Sequence, residues 1–299
     1  MKILVTGGAG FVGTNLIKRL VTNGHEVVSL DDYSTGTENN HVSGCHYVEG
    51  KIEHINFYFG MNPSFDLVYH LAGLSRIQPS FENPSETFNV NTMGTQRVLE
   101  FARIHDLKVI YAGSSSKHHD PYQSPYAACK YLGEELCKLY KKTYGMSIEI
   151  CRFYNVYGPH EVIDGDWAAV IGIWRRQIEN GEPITIVGDG EQKRDFTHVY
   201  DIVDALLELQ SVNSSLSIVD AWELGTGINY SINEVADMFA KYGGATKTHI
   251  DDQFGNYRET LRESDEALEL LDWKPKDRLE EYIKSLYKGK QLKLEFDGI

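Results

Sequence analysis

A doubly wound α/β fold, with a parallel sheet between two helical layers and a smaller C-terminal lobe, is predicted by three features. Strand-like and helix-like segments alternate through the first half of the 299 residues. The strand segments are near-continuous apolar runs, as strands buried on both faces must be. A glycine-rich turn joins the first strand to the first helix.

The elements follow from pattern. Residues 2–6 form a β-rich apolar run. Residues 13–23 place Leu16, Ile17, Leu20 and Val21 at helical spacing, and Gly24 stops the helix. Strands are predicted at 27–30, 67–71, 109–112 and 148–153, and helices at 86–105 and 126–144, the latter ended by Gly145. Beyond Pro159 the pattern loosens. Helices are expected at 162–180 and 201–210, a short strand at 184–187 and an amphipathic stretch at 279–287. The division expected is residues 1–160, with 191–225 returning to them, against a lobe of 161–190 and 226–299.

Composition narrows the function. Hydrophobic residues at 41% and charged residues at 24% describe an ordinary globular chain. A net charge of -14 argues against nucleic acid, whose phosphates need a basic face. It leaves room for small phosphorylated ligands, which backbone N–H groups and local cations can hold. Cys45, Cys129, Cys137 and Cys151 make no CxxC or zinc pattern, so reduced thiols and no metal are expected. No apolar run approaches the roughly 20 residues of a membrane span. The N-terminal run is too short for a signal peptide, and a cytoplasmic location is expected.

Two groups of residues carry chemistry. Gly7, Gly10 and Gly13 lie between strand and helix, where glycine lets backbone N–H groups approach a pyrophosphate. Phe11 and Val12 complete that cradle. Asp31, with Asp32 beside it, ends the second strand and can accept from ribose hydroxyls. A carboxylate there repels a 2′-phosphate, favouring NAD over NADP. Further on, Ser114, Ser115 and Ser116 follow a strand's C-terminal end, where ligands bind in such sheets. Tyr126 and Lys130 are four apart on one helical face. A free phenol, with pKa about 10, is a poor base, and a nearby ammonium and the positive nicotinamide would both lower it.

With these residues in view the chain resembles the extended short-chain dehydrogenase/reductases, specifically the nucleotide-sugar epimerase/dehydratase family. The resemblance runs through residues 6–13, His70-Leu-Ala-Gly73, Asn91 with Gly94-Thr95, Ser114, Tyr126/Lys130, 152–159 and Arg194-Asp-Phe-Thr-His198. It implies that Ser114, Tyr126 and Lys130 are catalytic. Lys130, Asn91 and the backbone at Leu71, Ala72 and Gly73 would line an NAD site. Ser115, Ser116, Asn155 and Arg194 would meet the nucleotide-sugar, Arg194 at the diphosphate. The implied reaction is oxidation at sugar C4 and re-reduction on the other face, as in UDP-hexose 4-epimerases. Sugar dehydratases carry an acid just past the catalytic hydroxyl. Ser115 and Ser116 stand there instead and cannot serve as general acids. A ketoreductase or dehydrogenase with net redox, and a non-catalytic NAD-binding scaffold, are the competing readings.

Some positions depart from the family. Ser114 and Tyr126 are twelve positions apart, a shortened stretch containing His118 and His119. A solvated or sugar-contacting loop is expected there. Lys51 replaces an acid expected to meet adenine. Gln253 replaces an arginine, and Asn256 an acid, with Arg258 a candidate substitute. Helices 86–105 and 126–144 would pair across a homodimer axis, and Leu132, Leu136 and Leu139 serve either that interface or the core.

Overall fold

The computed structural model describes residues 1–60, 63–212 and 219–296. Its strands are β1 (Lys2–Thr6), β2 (Glu26–Asp31), β3 (Cys45–Glu49), β4 (Leu67–His70), β5 (Lys108–Ser114), β6 (Ile148–Phe153), β7 (Asn155–Tyr157), β8 (Ile184–Val187), β9 (Lys193–His198), β10 (Trp222–Leu224), β11 (Asn229–Ser231) and β12 (Lys247–Ile250). Seven of them form one sheet, in the order β10-β6-β5-β4-β1-β2-β3. All six pairings in it are parallel. This is the Rossmann-type doubly wound arrangement, with its strand-order reversal between β1 and β4.

Alternation along the strands builds two cores. Ile3 and Val5 face one side with Leu16, Leu20, Ile202 and Leu206, so helices Phe11–Thr22 and Val199–Glu208 cover that side. Leu4, Val68 and Val109 face the other with Val98, Phe101 and Cys137, from helices Thr95–Ile104 and Pro125–Tyr144. A third core of Trp174, Ile186, Val235, Phe239 and Ile283 holds the smaller lobe together. It joins helices Val170–Glu179, Ile232–Gly243 and Leu279–Phe296.

Several expectations needed correction. β3 pairs only with β2 at the sheet edge and is half-exposed, so it lacks the apolar run by which buried strands are recognised. The helix expected at 86–105 is three pieces: Pro84–Phe88, a π turn at Asn89–Gly94, and Thr95–Ile104. Such π turns concentrate at functional sites. The helix expected at 162–180 starts only at Val170, because Gly165 takes a left-handed φ of 75° in the preceding loop. β10, from the second half, pairs with β6 as the last strand of the main sheet. Helix Pro125–Tyr144 is bounded as its sequence directs: Ser124 Oγ accepts from the Ala127 N–H, and Gly145 closes the other end at φ 68°.

Candidate active site

The glycine cradle is closed by the backbone itself. Gly7 sits at φ 73°, and a Cβ there would lie 2.7 Å from the Ala72 nitrogen. A Cβ on Gly13 would press into the Gly7 carbonyl oxygen and lie 2.7 Å from Gly8 Cα. Gly10 caps the helix that starts at Phe11, so the first-turn N–H groups of Phe11 and Val12 point out of its N-terminus. Asp31 accepts from the Ala9 N–H at 2.9 Å and the Tyr33 N–H at 2.9 Å, pinning the cradle to the end of β2. Burial raises its carboxyl pKa, and those two backbone bonds oppose the rise. Asp32 is spent locally, accepting from Ser34. A cradle with no space for a Cβ beside an acid at the second strand's end fits the pyrophosphate and ribose of NAD.

Beyond the cradle, Leu71, Ala72 and Gly73 leave the end of β4. Asn91, in the π turn, accepts from the Leu74 N–H at 2.8 Å and donates to the Leu74 carbonyl at 2.8 Å. The Asn91 amide is therefore a clamp on this loop. A Cβ on Gly73 would stand 3.1 Å from Asn91 Oδ1 and 3.6 Å from Lys130 Nζ, so these three residues converge. His70, beneath them, bonds Thr6 at 2.8 Å and Thr95 at 3.0 Å, and burial lowers its pKa to about 3. It is a neutral strut between strand and helix.

β5 and helix Pro125–Tyr144 bring Ser114 and Tyr126 together, with Lys130 one turn further along the helix. The Tyr126 hydroxyl donates to Ser114 Oγ at 3.3 Å, and the Ser116 N–H donates to the same oxygen at 3.2 Å. Lys130 Nζ donates to the Ala112 carbonyl at 2.9 Å, and burial lowers its pKa to about 8. Burial raises the Tyr126 pKa, while the Ser114 bond and a positive charge oppose the rise. That charge is Arg76, where the sequence pointed to Lys130.

The remaining predicted residues divide. Ser115 and Ser116 are buried in a turn past Ser114, and the Ser116 side chain lies beside the Tyr257 hydroxyl. Asn155 Oδ1 accepts from Thr260 at 3.3 Å. Arg194 donates to the Lys193 carbonyl at 2.8 Å, and burial lowers its pKa to about 10. Lys51 lies away from these groups in an exposed pair with Glu86, and Arg258 is bound to Asp189 at 2.8 Å. The histidines part ways. His118 bonds Glu223 at 2.8 Å within an ion network that includes Arg152, so it is no solvated loop residue. His119 stacks on Tyr257, with centroids 3.9 Å apart and planes at 10°. Among the described residues no three His, Cys, Asp or Glu side chains converge as metal ligands, and no helix is long and apolar enough to cross a membrane.

The sequence reading missed Arg76 and Tyr257. Tyr257 is 9% exposed, its hydroxyl lies beside Ser116, and it is close enough to Tyr126 and Arg194 for their charges to interact. It lies two positions past Gly255, in a segment whose Gln253 and Asn256 depart from the family pattern. Arg76 lies three positions past Gly73, at a strand's ligand-binding end, and that placement was the available signal.

Residues 3–218 match the model of the NAD dependent epimerase/dehydratase family. The chain belongs to that family. The family is NAD-dependent. The chain is 35% identical over 305 residues to a putative UDP-glucose 4-epimerase of Methanocaldococcus jannaschii, covering 94% of this chain and 96% of that one. Its structure is similar to UDP-glucose 4-epimerase of Thermotoga maritima, solved with UDP-glucose, at TM-score 0.88 and 27% identity over 98% of this chain and 100% of that one. It is likewise similar to UDP-glucuronic acid 4-epimerase of Bacillus cereus, solved with UDP-glucuronic acid and NAD, at TM-score 0.85 and 28% identity over 98% and 100% of the two chains.

Proposed function

We propose that this family member is an NAD-dependent UDP-sugar 4-epimerase. The observation that carries the reading is the hydrogen bond from Tyr126 to Ser114 at the C-terminal end of β5. It lies on the sheet that also presents the glycine cradle. The epimerases of similar sequence and structure support it.

NAD, when bound, supplies a hydride acceptor that later returns the hydride. The residues of the chain do the rest. The Gly7–Gly13 cradle and Asp31 hold the pyrophosphate and ribose, and Lys130 with the Asn91-clamped loop positions the nicotinamide half. Tyr126, once ionised, takes the proton of the sugar 4-hydroxyl. Ser114 keeps that hydroxyl in line with the phenol. Arg194 and Asn155 hold the nucleotide diphosphate while the 4-keto sugar turns over to present its other face for re-reduction at C4, and Tyr126 returns the proton to the C4 oxygen. Ser115 and Ser116 supply no acid, so no water is expelled.

In this reading residues 1–160 with 191–225 bind NAD, and 161–190 with 226–299 bind the sugar nucleotide. The working form is a cytoplasmic homodimer. Leu132 and Leu139, exposed by 41% and 52%, support an interface on helix Pro125–Tyr144, whereas Leu136 packs into the core.

The test is NMR-monitored incubation with UDP-glucose, UDP-galactose, their N-acetyl forms, and GDP- and dTDP-sugars. Interconversion of 4-epimers with bound NAD unconsumed is expected. Stoichiometric loss of added NADH would replace the epimerase reading by a reductase. Bound NAD without turnover of any sugar would leave a scaffold.

A further inference from the structure

Arg76 is a half-buried cation without an anion. Its Nε donates to the Trp167 carbonyl at 2.9 Å and the Ala168 carbonyl at 3.3 Å, and its Nη1 donates to the Ser75 carbonyl at 3.1 Å. These bonds hold the side chain between the loop after β4 and the lobe. They satisfy N–H groups but bring no negative charge. Among the described residues no carboxylate lies at ion-pair distance from it, and Nη2 has no protein partner. The acid nearest in effect, Glu161, is already bound to Arg175 at 2.8 Å and to Tyr282 at 2.9 Å. Taking a guanidinium out of water is costly unless a counter-charge arrives. In a chain of net charge -14, leaving this one uncompensated points to an anionic ligand.

Its place selects the ligand. Arg76 starts the helix Ile77–Glu82, whose Ser80 Oγ accepts the Tyr126 N–H at 3.1 Å. The guanidinium and the Tyr126 phenol act on one another across the site. Whatever Arg76 binds therefore lies on the Tyr126 side of the site, and the diphosphate is held at Arg194 in the reading above. The sugar carbon next to C4 is C5, and its substituent is C6. On that side of a sugar whose 4-hydroxyl meets Tyr126, a carboxyl at C6 is the acidic group a cation would meet. Arginine's planar fork matches a carboxylate in two parallel hydrogen bonds.

We propose that Arg76 binds the C6 carboxylate of a UDP-linked uronic acid, so that the substrate class is an acidic sugar nucleotide. The inference rests on the epimerase reading and narrows its substrate.

The experiment compares UDP-glucuronic acid with UDP-glucose on the NAD-loaded enzyme, by kcat/KM for 4-epimer formation and by calorimetric binding. The wild type should favour the uronic acid by about tenfold or more, and Arg76→Met should abolish that preference by losing about as much on the uronic acid alone. Arg76→Lys, which keeps charge without the fork, should fall between. Full-rate epimerisation of UDP-glucose with no preference for the acid overturns the inference and leaves the epimerase reading standing. So does an equal loss on both sugars in Arg76→Met, which would make the residue structural or a diphosphate ligand. No 4-epimer from either sugar counts against the epimerase reading, and the binding ratio then still decides the role of Arg76. The wild-type comparison also stands if Arg76→Met fails to fold.

Discussion

The phenol of Tyr126 points at Ser114, 3.3 Å away, although the cation on its own helical face, Lys130, is turned down onto the Ala112 carbonyl. In the proposed reaction proton transfer runs between helix Pro125–Tyr144 and β5, while Lys130 is directed toward the Gly73 side of the crevice. Tyr126→Phe keeps the ring and removes the proton carrier. It should lower kcat by about a thousandfold or more while NAD stays bound, read by product formation and by NAD released on denaturation. A near-wild-type rate would remove the tyrosine from the mechanism.

Lys130 has a consequence for stability. Its folded pKa is lowered from 10.5 to about 8 by burial, so between those values the unfolded chain holds the extra proton. Stability from this group therefore rises with pH from about 8 to 10.5 and is least below about 8. In urea titrations of the NAD-free protein, wild type minus Lys130→Met should gain up to about 1.4 kcal/mol per pH unit across that window. A difference that is flat or falls with pH would contradict the assignment.

Gly13→Ala drives a methyl group into the Gly7 carbonyl and Gly8. The backbone must shift, at a cost of about 1–3 kcal/mol, and the pyrophosphate cradle opens. Retained NAD should fall at least about tenfold. Gly10→Ala is the milder companion, since its Cβ would stand 3.3 Å from the same oxygen. Equal NAD content in both variants would argue that the cradle does not hold the pyrophosphate.

Tyr257 offers a buried hydroxyl, beside Ser116, on a ring stacked against His119. Tyr257→Phe preserves the stack and removes only the oxygen. If that oxygen meets the sugar, KM should rise about three- to tenfold with kcat and melting temperature little changed. A lower melting temperature at constant KM would make it a packing residue.

Leu132 and Leu139 are seven apart, two helical turns, and lie on one exposed face. The pair Leu132→Glu and Leu139→Glu should convert a dimer to a monomer in sedimentation at micromolar concentration. A monomeric wild type would end the interface reading.

Local chemistry in the sequence determined the parallel sheet, the glycine cradle, the acid ending β2, and the serine, tyrosine and lysine at the ends of β5 and its following helix. Each depends on a turn, a strand end or a helical repeat within a few residues, and short-range sterics and periodicity write such features directly into the chain. Only the tertiary structure decided that Arg76 comes near enough to Tyr126 for their charges to interact, that the returning segment meets the sheet through β10 beside β6, and that His118 joins Glu223, 105 positions away, while its neighbour stacks on Tyr257. Those placements come from loops whose direction is set by packing between distant elements. A loop side chain carries no periodic signal of the partner it will meet.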